Sequence, residues 1–131
     1  MKLVLDTSVF IAALLNPGGP TARTLVKLLK GKHQVFYSEA LIKEIKAVAN
    51  RKKIESKYIA ATVLLLRTYG VKVVPGRIRA DSPDPKDDFL IALVRKCKPD
   101  YVISGNHDDL QAVKKEGAIL LSIREGTKLF G

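Results

Sequence analysis

Acidic side chains are scarce in this chain, and they come in short groups. Against 23 lysines and arginines stand 13 aspartates and glutamates. Asp81, Asp84, Asp87 and Asp88 form one group, Asp108 and Asp109 another, and Asp6 closes the apolar run Leu3–Val4–Leu5. Acids favour turns and helix starts for their own reasons. Carboxylates gathered at one place, however, repel one another unless a cation neutralises them. Four segments can supply oxygen ligands to such a place: Asp6, Glu44, Asp84 or Asp87, and Asn106 with Asp108. An all-oxygen set suits Mg²⁺ or Mn²⁺. Hard divalent ions serve phosphodiester chemistry, where they orient a phosphate and stabilise a leaving oxygen.

The basic excess points the same way. A formal net charge of +10 favours polyanionic partners through steering and counterion release. Arg23, Lys43, Lys46, Arg51, Lys52 and Lys53 lie in a stretch, ending at Lys57, whose acids are Glu39, Glu44 and Glu55. These residues are the expected set for binding nucleic-acid phosphates. Charge clustering and net charge converge on nucleic-acid cleavage.

The elements that must position these groups follow from apolar patterning. Lys2–Leu5, Gln34–Tyr37, Val71–Val74, Tyr101–Ser104 and Ala118–Leu121 read as five strands. Helical patterns run over Thr7–Leu15, Thr21–Lys30, the segment capped by Ser38, Ser56–Thr68, Asp87–Lys96 and Asp108–Glu116, with a short helical tail near Arg124–Phe130. Strands alternating with helices imply βαβ units and right-handed crossovers. The expectation is an α/β fold, a three-layer α/β/α sandwich around a mostly parallel sheet of about five strands, in one domain over residues 1–131. Ligands in such folds bind beyond the carboxyl ends of the strands, where Asp6, Asn106 and Asp108 fall. Glu44 follows Leu41 by three positions and precedes Val48 by four, so it borders the buried stripe of its helix.

Composition excludes several other classes. With 47% hydrophobic and 27% charged residues the chain is ordinary globular material. One cysteine, Cys97, precludes a disulfide framework or a Cys-rich zinc site and reads as a packing residue. His33 and His107 read as surface residues in turns, His107 within range of a substrate contact. Apolar runs are too short to span a membrane, the start of the chain reads as a strand and not a signal peptide, and the expected compartment is the cytoplasm. Neither a phosphate-cradling nor a dinucleotide glycine motif is present. A haloacid-dehalogenase-like phosphatase needs a second Asp where Ser8 stands. A receiver domain needs adjacent early acids.

Four segments, in order, resemble the motifs of PIN domains: Leu3–Ile11 around Asp6 and Ser8, Ser38–Ile45 around Glu44, Asp84–Ile91 around Asp87, and Tyr101–Leu110 around Ser104, Asn106 and Asp108. The resemblance implies a metal-dependent ribonuclease of the VapC-like toxin type. It carries Asp6, Glu44 and Asp87 over as catalytic, metal-binding acids, with Asn106 and Asp108 as further metal ligands. Ser8, Asp84, Ser104 and Asp109 would support them. Asn106 stands where Asp is frequent, which removes one negative charge; Asp108, or else Asp109, compensates. The resemblance also implies a Mg²⁺ or Mn²⁺ cofactor, an RNA substrate, a cognate antitoxin and a homodimer. The apolar surplus at Ile59, Val63, Leu64, Leu65 and Leu66 suits either a dimer face or a helix buried in the monomer. The alternative reading is a non-catalytic, basic RNA-binding module with a degenerate metal site.

Overall fold

The computed structural model describes residues 1–75, 88–105 and 111–131. Its elements in chain order are β1 (Lys2–Leu5), α1 (Thr7–Leu15), α2 (Pro20–Lys30), β2 (Gln34–Tyr37), α3 (Glu39–Arg51), α4 (Ser56–Tyr69), β3 (Val71–Lys72), α5 (Asp88–Cys97), β4 (Tyr101–Ile103), a 3₁₀ helix (Gln111–Glu116), β5 (Ile119–Leu121) and α6 (Ile123–Phe130). The five strands are all parallel, in the order β3-β2-β1-β4-β5. The expected sandwich is therefore present, with a sheet that is wholly parallel.

Strand alternation divides the core in two. Leu3, Leu5, Val35, Tyr37 and Ile103 pack with α1, α2, α3 and α4 on one face. Val4, Phe36, Val102 and Leu120 pack with Leu90, Ile91, Leu93 and Val94 of α5 and with Val113 on the other. Period-two alternation with both faces apolar is what a doubly covered parallel sheet demands. Helix α1 is apolar nearly all round because it is enclosed: Val9, Phe10, Ile11 and Ala13 are all buried. Ile59, Val63 and Leu66 of α4 are likewise buried in the monomer core, which leaves Leu64, 65% exposed, as the bare member of that run.

Several boundaries differ from the sequence reading. Strand β3 stops at Lys72, although Val73 still donates its N–H to the Tyr37 carbonyl. Residues 111–116 form a 3₁₀ helix, closed by Gly117 at φ +85°. The expected helix starts at Asp87 and Asp108 lie outside the described residues. The tail is a firm helix, because Ser122 and Glu125 form a capping box: Ser122 Oγ accepts from Glu125 N at 3.0 Å, and Glu125 Oε1 accepts from Ser122 N at 2.9 Å. His33 lies in the bend before β2, as expected, but is half-buried and not a surface residue. Its ring meets Phe130 edge-on at 5.1 Å, and Phe130 meets Tyr101 at 5.6 Å, so the end of α6 is held by aromatic contacts.

Two contacts lock the layers. Glu39, first residue of α3, takes a two-pronged hydrogen bond from Arg67 of α4 at 2.6 and 3.0 Å, with Lys72 of β3 at 3.4 Å. The Arg67 bond holds the Glu39 carboxyl near pKa 2, against an ordinary 4.5. Gly126 lets α6 lie directly on β4; a Cβ there would stand 2.9 Å from Ile103 Cδ1.

Two predictions follow from these contacts. Gly126→Ala should lower unfolding free energy by about 1–3 kcal/mol through overpacking on Ile103, read by urea denaturation. A carboxyl depressed in the folded state stabilises above its unfolded pKa and loses that contribution as pH falls towards its folded one. The melting temperature of Glu39→Gln should therefore lie below wild type near neutrality. The two should converge as pH falls from about 4.5 to about 2.

Candidate metal centre

The sheet order reverses between β1 and β4. Chain order runs outward through β2 and β3 on one side and through β5 on the other. In open parallel sheets a crevice forms beyond the carboxyl ends at such a reversal. Here the register sets Leu5 beside Ile103, so the next residues, Asp6 and Ser104, meet at the switch point. Extending the other registers by one or two places gives a row along the same edge: Ser38, Asp6, Ser104, Ser122. Each follows the last apolar residue of its strand.

Asp6 is 97% buried by its 3% exposure, yet its side chain does not cap α1. Its Oδ2 instead accepts hydrogen bonds from Ser104 Oγ at 2.8 Å and Ser8 Oγ at 2.9 Å. Ser8 Oγ also accepts the Gly105 N–H at 2.8 Å, which ties the start of α1 to the end of β4. Donor bonds of this kind fix the rotation of a carboxylate. An acid buried among polar contacts is a costly choice for stability alone. The chemistry of this edge is oxygen-only in the described residues. His33 and Cys97 lie at the opposite edge, before β2 and β4. A carboxylate with hydroxyl support fits a hard divalent cation.

Glu44 lies on α3, which packs against α1. It is half-buried on the border of the apolar stripe, as its spacing predicts, with its side chain 29% exposed. Its ion pair is with Arg51 at 3.8 Å, two turns along the same helix, and not with the neighbouring lysines. Asp84, Asp87, Asn106, His107, Asp108 and Asp109 lie outside the described residues. Among the described residues no three acids, histidines or cysteines come together; Asp6 and Glu44 are the described acids of the expected set. Cys97 is half-buried, and burial pushes its thiol up to about 11, so it is a packing residue and a poor nucleophile at neutral pH.

Of the basic residues, Lys43, Lys46, Arg51, Lys52 and Lys53 are exposed along α3 and its end. Arg23 stands apart on α2, where its guanidinium reaches the Gly18 carbonyl at 3.4 Å. Sequence reasoning singled out Asp6, Ser8 and Ser104 and read Ser38 as a helix cap, but missed the Gly105 bond to Ser8 and the alignment of these residues with Ser122 along one edge. The legible signal was a Ser or Asp directly after four of the five strands, at positions 6, 38, 104 and 122.

A family model described as "PIN domain" matches residues 2–108. Comparison with curated proteins yields no match. Among solved structures, VapBC2 from Rickettsia felis, bound to a DNA fragment from their promoter, is similar at TM-score 0.68 and 11% identity, over 93% of this chain and 98% of that one. VapBC-1 from nontypeable Haemophilus influenzae is similar at TM-score 0.65 and 15% identity, over 95% and 99%. A PilT N-terminus domain protein from Sulfolobus solfataricus gives 0.58 and 11%, over 98% and 92%. At these identities the likeness is one of fold.

Removing either hydroxyl leaves the buried carboxylate with one donor fewer. Ser8→Ala and Ser104→Ala should each lower unfolding free energy by about 1–2 kcal/mol, measured by chemical denaturation at neutral pH.

Proposed function

The chain belongs to the PIN domain family, a family of nucleases, and we propose that it is a divalent-metal-dependent endoribonuclease, the VapC-like toxin of a toxin–antitoxin pair. The observation that carries the proposal is the buried Asp6 carboxylate, oriented by two serine hydroxyls at the sheet's switch point. In this reading Asp6, Glu44 and Asp87 hold Mg²⁺ or Mn²⁺, with Asn106 and Asp108 beside them. Ser8, Ser104, Asp84 and Asp109 support that set. A bound ion of this kind neutralises phosphodiester charge and provides a nucleophile at neutral pH.

The chain's own residues have separate tasks. Ser8 and Ser104 prevent Asp6 from rotating, so the oxygen Oδ1 keeps a fixed direction. Glu44, drawn to Arg51 across 3.8 Å, is shared between a cationic neighbour and the proposed site. Lys43, Lys46, Arg51, Lys52, Lys53 and Arg23 hold RNA phosphates by charge, which steers the strand and orders it against the acids. The proposal takes residues 1–131 as one domain acting in the cytoplasm, with a homodimer and an antitoxin as protein partners. Support for the antitoxin is the likeness to the two VapBC structures. No helix among the described residues is long and apolar enough to cross a membrane.

Asp6→Asn and Asp87→Asn should each reduce cleavage of single-stranded RNA by at least ~10²-fold with the fold intact, because each removes a charged ligand. Wild type should gain melting temperature on Mn²⁺ addition and Asp6→Asn should gain less, as ligand linkage requires. Salt-sensitive RNA binding without cleavage at saturating Mn²⁺ would instead support the non-catalytic module.

A further inference from the structure

The turn between α3 and α4 ends its helix in an uneconomical way. Lys52 donates to the Val48 carbonyl, Lys53 N to Asn50 O at 3.0 Å and Ile54 N to Ala49 O at 3.1 Å. Together these are a Schellman closure, with Lys53 at the residue that must turn left-handed. Its φ is +60°. Glycine is the low-energy choice there, and a residue with a Cβ is strained. Ile54, half-buried against the core, fixes the turn from behind. The strained position thus carries an exposed lysine, and strain kept at an exposed residue points to use.

The surroundings show what that use is. Arg51, Lys52 and Lys53 are all exposed, and Lys57 follows on the first turn of α4. Beside them Tyr58 leaves 45% of its surface bare, an aromatic on an exposed, cationic corner. The Lys57 ammonium stands 5.1 Å from its ring centroid. Two acids reach the corner's cations, Glu55 drawn to Lys57 at 3.6 Å and Glu44 to Arg51 at 3.8 Å, which leaves Lys52 and Lys53 without an ion pair among the described residues. An exposed ring set among cations is the composition that binds single strands: bases stack on the ring and phosphates pair with the ammoniums. A duplex offers phosphates but no free base faces.

We propose that the α3–α4 corner is a docking platform for single-stranded RNA, with a base stacked on Tyr58 and flanking phosphates held by Lys52, Lys53 and Lys57. The inference rests on the nuclease reading only for its purpose: Arg51 to Glu44 is seven residues, about 10 Å along α3, so a strand gripped at the corner reaches the proposed metal centre within a few nucleotides. The corner acts as a remote grip that sets which stretch of a strand arrives at the acids.

The test is fluorescence anisotropy with a fluorescein-labelled oligouridylate of roughly 12 nucleotides, in EDTA so that no cleavage occurs. Tyr58→Ala should weaken binding at least about fivefold while Tyr58→Phe binds as wild type, since stacking needs the ring and not the hydroxyl. Lys53→Gly gives the sharper sign. It should raise the melting temperature, by relieving the left-handed strain, yet weaken RNA binding and flatten the salt dependence by about 0.7 in log–log slope. Equal affinity of Tyr58→Ala and wild type, circular dichroism being unchanged, would overturn the platform. So would wild-type binding of duplex RNA as tight as that of the single strand, which would reduce the corner to a plain polyanion surface. Asp6→Asn separates the two claims. Loss of cleavage in Asp6→Asn with no effect of Tyr58→Ala on affinity leaves the nuclease and removes the platform. Tyr58-dependent binding by a wild type that never cleaves leaves the platform and removes the nuclease.

Discussion

One buried carboxylate organises this molecule. Asp6 sits at the carboxyl ends of two parallel neighbours, β1 and β4, and it is enclosed and not used to cap its helix. An isolated charge in such a place would be several kcal/mol too costly. Ser8 and Ser104 make it tolerable by donating to the same oxygen. These bonds need the β1–β4 register, and that register needs the apolar residues Leu3, Leu5, Val102 and Ile103 on their respective faces. Packing, register and polar satisfaction are therefore one problem with one solution.

The rest of the architecture fits around that solution. Helix α1 must begin at Asp6 and is buried on almost every side, so its first turn is held in place by the core. Gly105 is tied to Ser8, which starts the segment after β4 at a set position. Glu39, Arg67 and Lys72 clamp α3 to α4 and β3, and so hold the helix that carries Glu44. Gly126 and the aromatic contacts of Phe130 press α6 against β4 from the same side as α1 and α2. The contacts that steady the switch point thus come from separated parts of the chain.

Much of this was legible in the residues. Apolar runs ending in Asp6 and Ser104 marked two strands and the edge where they finish. Helix spacing placed Glu44 at the border of its buried stripe, where it lies. What was not legible is non-local. Nothing in the sequence tells which strands are neighbours, so the Asp6–Ser104 pairing, 98 residues apart, required the sheet order. Strand β3 is short and stands at the end of the sheet, with β2 as its hydrogen-bonded neighbour among the described residues. His33 looked like a surface residue because its partner, Phe130, lies at the far end of the chain. The α6 capping box, by contrast, was written plainly as Ser122 and Glu125 three places apart, and only needed to be read.

The account stands on the Asp6 carboxylate directing its second oxygen to a divalent ion. The direct measurement is a crystal structure with Mn²⁺, with anomalous scattering used to place the metal. The expected result is one ordered peak within bonding distance of Asp6 Oδ1, with both serine bonds to Oδ2 kept. Ordered Mn²⁺ bound elsewhere, with no metal on Asp6, would contradict it.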